Sequence, residues 1–275
     1  MMRSCIAAGV VATALFACIG TTGGQLVDFP AAAAGAEDAT SPLAFDETVL
    51  VNGAPHTWHV TLTQAKIHLG AVYLDQALPV SGSGDTDCIL PGTYTAEVLG
   101  TPVDGGLAGL DVDLLSSAPQ MFPTPGHGTT TPSLAAQVWL TGGDVNAISD
   151  STQILLVAGT ANDDQGASIP FEGSITISTN RVPANQTSGS NPPCKQRIVS
   201  PIPTRAAVAT TGGLLLRVDA RRLFQNVDFS QLAQFSSTYG FSDDPTSKSY
   251  TQPSINLWTN LRSSATYAFS WSPSL

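Results

Sequence analysis

Short runs in which apolar residues alternate with polar ones recur from about residue 45 to the end of the chain, and most close on Gly, Pro, Asn or Asp. Period-two alternation predicts half-buried β-strands, and the closing residues predict turns. The predicted strands are Thr48–Val51, Thr57–Thr63, Lys66–Leu74, Thr93–Leu99, Leu110–Leu115, Leu134–Thr141, Ile154–Ala161, Ile169–Ser178, Arg197–Ile202, Leu214–Asp219 and Tyr267–Trp271. Asn52-Gly53 separates the first two. Both residue types tolerate the positive φ of a type I′ turn, so the pair predicts a tight hairpin. Asn162 to Gly166 predicts a second hairpin turn in the same way. Along Lys66–Leu74, Ile67, Leu69, Ala71 and Tyr73 fall on one face. Helical periodicity is scarce, with single turns expected at Ala220–Gln225 and Ser254–Arg262, and no internal repeat is present. About ten short strands with one or two short helical turns predict an all-β fold, a β-sandwich or a partly open barrel.

The N-terminus has a different pattern. Met1-Met2-Arg3 is followed by a nearly unbroken apolar or small-residue run from Ser4 to Phe16. That run is shorter than the roughly 20 residues a bilayer requires, and its proportions fit a cleaved signal peptide. It ends in Leu15-Phe16-Ala17-Cys18, which resembles the lipobox of bacterial lipoproteins. The resemblance implies a signal peptide over 1–17 and a Cys18 that carries acyl chains such as palmitate. It also implies a protein held on the bacterial cell envelope by lipid. Ile19 stands where such proteins retained at the inner membrane carry Asp, which implies the outer membrane. A plain signal peptide cut near Ala31–Ala34 is the alternative. Residues 18–44, with Thr-Thr-Gly-Gly, the alanine run Ala31 to Ala34 and no periodicity, are expected to be a flexible tether, and residues 45–275 the β-sandwich domain. No second apolar segment approaches membrane-spanning length.

Composition narrows the class. The chain has 275 residues, of which 42% are hydrophobic and 12% charged. Thr, Ser, Gly and Pro fill the gap, as in a β-rich extracytoplasmic protein, and the apolar content excludes a disordered chain. The net charge of −10 and the scattering of 11 basic residues argue against a nucleic-acid partner. Four cysteines are present. With Cys5 removed and Cys18 acylated, Cys88 and Cys194 remain, and in an oxidising envelope such a pair is most simply a disulfide. Two free thiols are the alternative.

Catalytic signatures are absent. The chain has no G-x-S-x-G elbow, no H-E-x-x-H helix and no Gly-rich loop opening a helix. Histidine has the one suggestive distribution. His56, His59 and His68 fall around one predicted hairpin, with His68 on the strand after it, and His127 lies in an exposed-looking loop. Neutral imidazoles suit copper or zinc, so a shared site is conceivable, although His56 and His59 face opposite sides of a regular strand. The acidic groups Asp85/Asp87, Asp111/Asp113, Asp163/Asp164 and Asp243/Asp244 could hold calcium, but loop aspartates usually make turns. Trp58, Trp139, Trp258 and Trp271 could form a carbohydrate-stacking face, but aromatics on strands are by default core.

Several segments carry a resemblance to uncharacterised bacterial envelope lipoproteins. They are Val60 to Gly70, Val157 to Ala161 with Pro170 to Gly173, and Val218-Asp219 with Leu223 to Asp228. A looser similarity links the chain to the secreted, β-rich copper-binding partner proteins of methanobactin-type operons, whose additional cysteines this chain lacks. The first resemblance implies no established activity, and the second implies only copper as a candidate. The expected function is therefore a non-enzymatic, lipid-anchored binding or structural protein that needs no cofactor. Its expected partners are the membrane, through the lipid, and a protein or small molecule. A periplasmic copper- or zinc-binding protein and an envelope hydrolase are the alternatives.

Overall fold

A computed structural model describes residues 24–77, 94–100, 109–143, 151–176, 196–235 and 238–275. The fold is an all-β sandwich of three sheets, none closed into a barrel. A seven-stranded sheet is built on β4 (Ala54–Leu69) and β11 (Gln153–Asp163). β3 (Leu43–Val51) and β7 (Leu110–Asp113) pair with β4. β12 (Ser168–Thr176), β16 (Thr238–Phe241) and β15 (Ala233–Phe235) continue beyond β11. A six-stranded sheet runs β1 (Leu26–Phe29), β9 (Gly126–Thr129), β6 (Tyr94–Leu99), β5 (Ala71–Asp75), β10 (Ala135–Trp139) and β13 (Ile198–Pro203). The third sheet runs β17 (Tyr267–Ser272), β14 (Gly213–Val218), β2 (Ala31–Gly35) and β8 (Gln120–Met121). One core joins all three, with Leu62 and Ile67 from the first sheet, Val72 and Val138 from the second and Leu214 and Leu216 from the third.

The hairpin at Asn52-Gly53 forms as the sequence predicts. Both residues have positive φ, 53° and 82°, and Val51 pairs directly with Ala54. The second predicted hairpin joins β11 to β12, with Asn162 opposite Ser168. The predicted helical turns are a 3-10 turn at Ala220–Phe224 and a ten-residue α-helix, α1 (Gln252–Leu261). No described helix is long and apolar enough to cross a membrane.

Two expectations are corrected. Residues 18–44 are not a tether from residue 24 onward. β1 and β2 are sheet members, and Ala31 to Ala34 are at most 2% exposed. A strand covered on both faces reads as a continuous apolar run without alternation, so the alanines looked like a linker. Their small side chains admit close packing, and a Cβ on Gly35 would stand 2.1 Å from the Leu114 carbonyl oxygen.

The second correction concerns the two strands expected at Thr57–Thr63 and Lys66–Leu74. They are one strand, β4, with an irregular register opposite Ala158 and Gly159. That irregularity changes the parity, so Trp58, Val60 and Leu62 face inward and then Ala65, Ile67 and Leu69 do. The chain breaks instead at Gly70, where a Cβ would meet the Thr141 carbonyl oxygen at 2.3 Å. It then enters the six-stranded sheet, where Val72 and Leu74 join the core and Tyr73 turns to the other face.

Candidate functional site

The inner face of the seven-stranded sheet, near the β3–β4 turn, gathers the groups with most chemistry. Directly opposed residues of an antiparallel pair share a face. Glu47 is opposite Trp58 on β3 and β4, and Trp58 is opposite Asp163 on β11. His56 lies two residues before Trp58 on the same face. Its ring centroid is 4.8 Å from that of Trp58, and Trp58 is 1% exposed. From the other side, the 3-10 turn Phe229–Gln231 sets the Phe229 ring 5.6 Å from Trp58. Phe229 is clamped in turn by Phe171, at 5.1 Å. Asn226, at φ 57°, donates its N–H to Glu47 Oε1 at 2.8 Å.

The electrostatics of this corner are unbalanced. Burial raises the Glu47 pKa, and the Asn226 N–H offsets part of the rise. Asp163 Oδ1 accepts the N–H groups of Gln165 at 2.9 Å and Ala167 at 2.7 Å, which fixes the carboxylate in the β11–β12 turn. Its Oδ2 lies 3.6 Å from His56 Nε2, beyond hydrogen-bond range. His56 Nε2 and Trp58 Nε1 are both buried and have no hydrogen-bond partner. Orphaned buried nitrogens are rare in folded proteins and call for an occupant.

The other histidines are elsewhere, so the expected shared site of His56, His59, His68 and His127 is not formed. His59 faces outward between Asp46, at 2.7 Å from Nδ1, and Asp164, at 2.8 Å from Nε2. Those bonds, Asp164 first and Asp46 second, raise its pKa. His68 is at the far end of β4, not on a following strand, and pairs with Asp111 of β7 at 2.6 Å. At the rise of a strand that is about 40 Å from His56. His127 is in strand β9 of the six-stranded sheet, not in a loop, and pairs with Asp28 of β1 at 2.6 Å. No group of three or more His, Cys, Asp or Glu able to hold a metal occurs among the described residues.

The acidic pairs serve turns and ladders. Asp113 accepts the Leu115 N–H, Asp243 accepts from Thr176 and Asp244 accepts from Thr246. Of the tryptophans, Trp58 and Trp258 are buried, while Trp139 and Trp271 are half-buried on different sheets, so they share no stacking face. Cys18, Cys88, Cys194, Asp85 and Asp87 lie outside the described residues.

One cluster was not anticipated. Asp75 and Gln137 are both fully buried in the six-stranded sheet. Gln137 Nε2 donates to Asp75 Oδ2 at 2.9 Å, and Trp139 Nε1 donates to Gln137 Oε1 at 3.2 Å. Tyr73 lies against Tyr94 and Trp139, with centroids at 5.1 and 5.2 Å. Burial raises the Asp75 pKa, and the Gln137 bond partly opposes it. A single polar residue inside each of two apolar runs, Ala71 to Asp75 and Ala135 to Trp139, was the available signal.

No protein-family model matches the chain, and no curated protein matches it. Among solved structures the chain is similar to MbnP from Methylosinus trichosporium, at 13% identity over 90% of this chain and 98% of that one. The TM-score is 0.37, an agreement that carries no argument about function.

Proposed function

We propose that this chain is a non-enzymatic binding protein of the bacterial envelope, anchored through an acylated Cys18, that takes one copper or zinc ion at the His56–Asp163 corner. The observation that carries the reading is the buried, unpartnered His56 Nε2 facing Asp163 Oδ2 at 3.6 Å. Two donors that each stand about 2.0–2.1 Å from one ion are at most ~4.2 Å apart, so the spacing fits a shared ion. An imidazole and a carboxylate suit copper and zinc. In this reading the chain's own residues do three things. The Gln165 and Ala167 N–H groups aim the Asp163 carboxylate. Trp58 seats the His56 ring. Glu47, on the same face, supplies further negative charge when ionised. The four histidines do not act together.

Equilibrium dialysis of the purified protein against Cu²⁺ and Zn²⁺ tests this. One ion per chain is expected, with a loss of at least about tenfold in affinity for His56→Ala and no loss for His59→Ala. Equal affinity of the wild type and His56→Ala would sink the metal reading. The anchor is tested separately, since Cys18→Ser should lose acyl labelling and leave the membrane fraction of an expressing bacterium.

A further inference from the structure

The opposite, outer face of the seven-stranded sheet carries a trench that the metal reading does not use. A cavity of about 330 Å³ is lined by Lys66, His68, Asp111, Gln153 and Leu156 among others. A second, of about 270 Å³, is lined by Gln153, Leu156, Glu172, Ser174 and Phe235 among others. Gln153 and Leu156 line both, so the two are one depression running across the strands. From Asp111 on β7 to Phe235 on β15 it crosses five inter-strand steps, about 24 Å at ordinary sheet spacing.

Its chemistry is mixed in a specific way. Phe235 is 52% exposed. Its ring lies over Gly240, where a Cβ would stand 2.9 Å from it, so one ring face is fixed against the backbone. Leu156 is a second apolar element, in register with Lys66 and Ser174. Lys66, Gln153 and Glu172 bring an ammonium, a planar amide and a planar carboxylate, and no side-chain hydrogen bond or ion pair engages them. The trench runs across the strands and its middle is bordered by β4, β11, β12 and β16, each paired on both sides, so an extended peptide lying along it adds to no strand edge; only its two ends, at β7 and β15, are edge strands. The carboxylates of Asp111 and Glu172 and the net charge of −10 disfavour an anionic ligand.

We infer that this trench binds a neutral oligosaccharide chain, with Phe235 stacking on the C–H face of one sugar and Gln153, Glu172 and Lys66 hydrogen-bonding hydroxyl pairs along it. An aromatic ring offers a flat, amphipathic platform to the apolar face of a sugar. Planar amide and carboxylate groups accept or donate in pairs, matching neighbouring hydroxyls. The length of the trench exceeds one sugar ring, so the ligand is a chain of several units.

The test is isothermal titration of the full-length protein with cellohexaose, chitohexaose, mannohexaose and, as the anionic counterpart, a galacturonic-acid hexamer. At least one neutral hexasaccharide is expected to bind. Phe235→Ala should weaken that binding by about tenfold or more, the loss one stacked ring supports, with an unchanged unfolding midpoint. Glu172→Gln should weaken it less, and saturation with Cu²⁺ or Zn²⁺ should leave it unaltered. Binding by none of the neutral chains, preference for the acidic hexamer, or binding indifferent to both Phe235→Ala and Glu172→Gln would overturn the inference.

Discussion

His56 and His59 are three residues apart on one strand and have opposite fates. His56 faces inward, its Nε2 is buried and nothing bonds it. His59 faces outward, and both of its ring nitrogens are held by carboxylates, Asp46 and Asp164. A regular strand between them makes this unavoidable, because odd spacing sends side chains to opposite faces. The contrast shows that unmet bonding capacity, not the presence of an imidazole, marks a site able to take a ligand. An outward histidine between two carboxylates has already spent both nitrogens. The same holds for polar groups generally in this molecule, where inward ones are costly if left unpaired and outward ones are interchangeable with water.

Removing the platform of the inner corner should have the largest effect. Trp58 is 1% exposed and touches both His56 and Phe229. Trp58→Ala is expected to cost about 3–5 kcal/mol, read as a lower urea midpoint. A loss no greater than that of an exposed-site variant would break the contrast between the two faces. Gln137→Ala comes next. It leaves the fully buried Asp75 Oδ2 and the half-buried Trp139 Nε1 without their partner, an expected loss of about 1–3 kcal/mol by the same measurement.

Glu47→Gln sharpens the comparison in the other direction, because here the charge itself is the problem. Burial raises the Glu47 pKa, so the folded protein holds that proton more tightly than the unfolded chain. Stability is therefore lost as pH rises from the unfolded value, about 4.3, through the raised folded value. Glutamine keeps an oxygen for the Asn226 N–H and removes the charge. The variant should match the wild type below that window and be more stable above it. Denaturation curves at acid and neutral pH measure both ends, and equal pH profiles for the two proteins would contradict the expected cost.

What was legible in the sequence was mostly local. Asn52-Gly53 fixes its hairpin through two adjacent residues, and the alternation in β4 fixes which side chains are inward on either side of its irregularity. What was not legible depends on distant pairing. β2 gave no alternation because it is buried in a parallel pair with β14, whose partner residues are remote in sequence. The corner was half visible. His56 and Trp58 are residues one would single out, but Asp163 reads as a turn former, and only the register of β11 on β4 sets it opposite Trp58. Asp75 and Gln137 were not singled out, because only the pairing of β10 with β5 brings the two together. The trench depends on β15 and β16 folding beside β12, a parallel pairing that no local pattern announces.

The smallest expected effect belongs to His59, and it completes the comparison. Its hydrogen bonds to Asp164 and Asp46 raise its pKa, so the protonated ring is favoured in the folded state. A raised histidine contributes stability that is fully present below its unfolded value, about 6.5, and is lost as pH rises through the folded value. The pair is exposed, so the contribution is slight and salt should screen it. His59→Gln is expected to lower the unfolding midpoint slightly at about pH 5.5 and not at about pH 9, with the difference shrinking in about 1 M NaCl. Metal affinity should not change. A midpoint difference that grows at alkaline pH would mean the neutral ring is the stabilising form and that the two carboxylates are not what holds it. A loss of metal affinity would place the ligand set on the outer face instead of at His56.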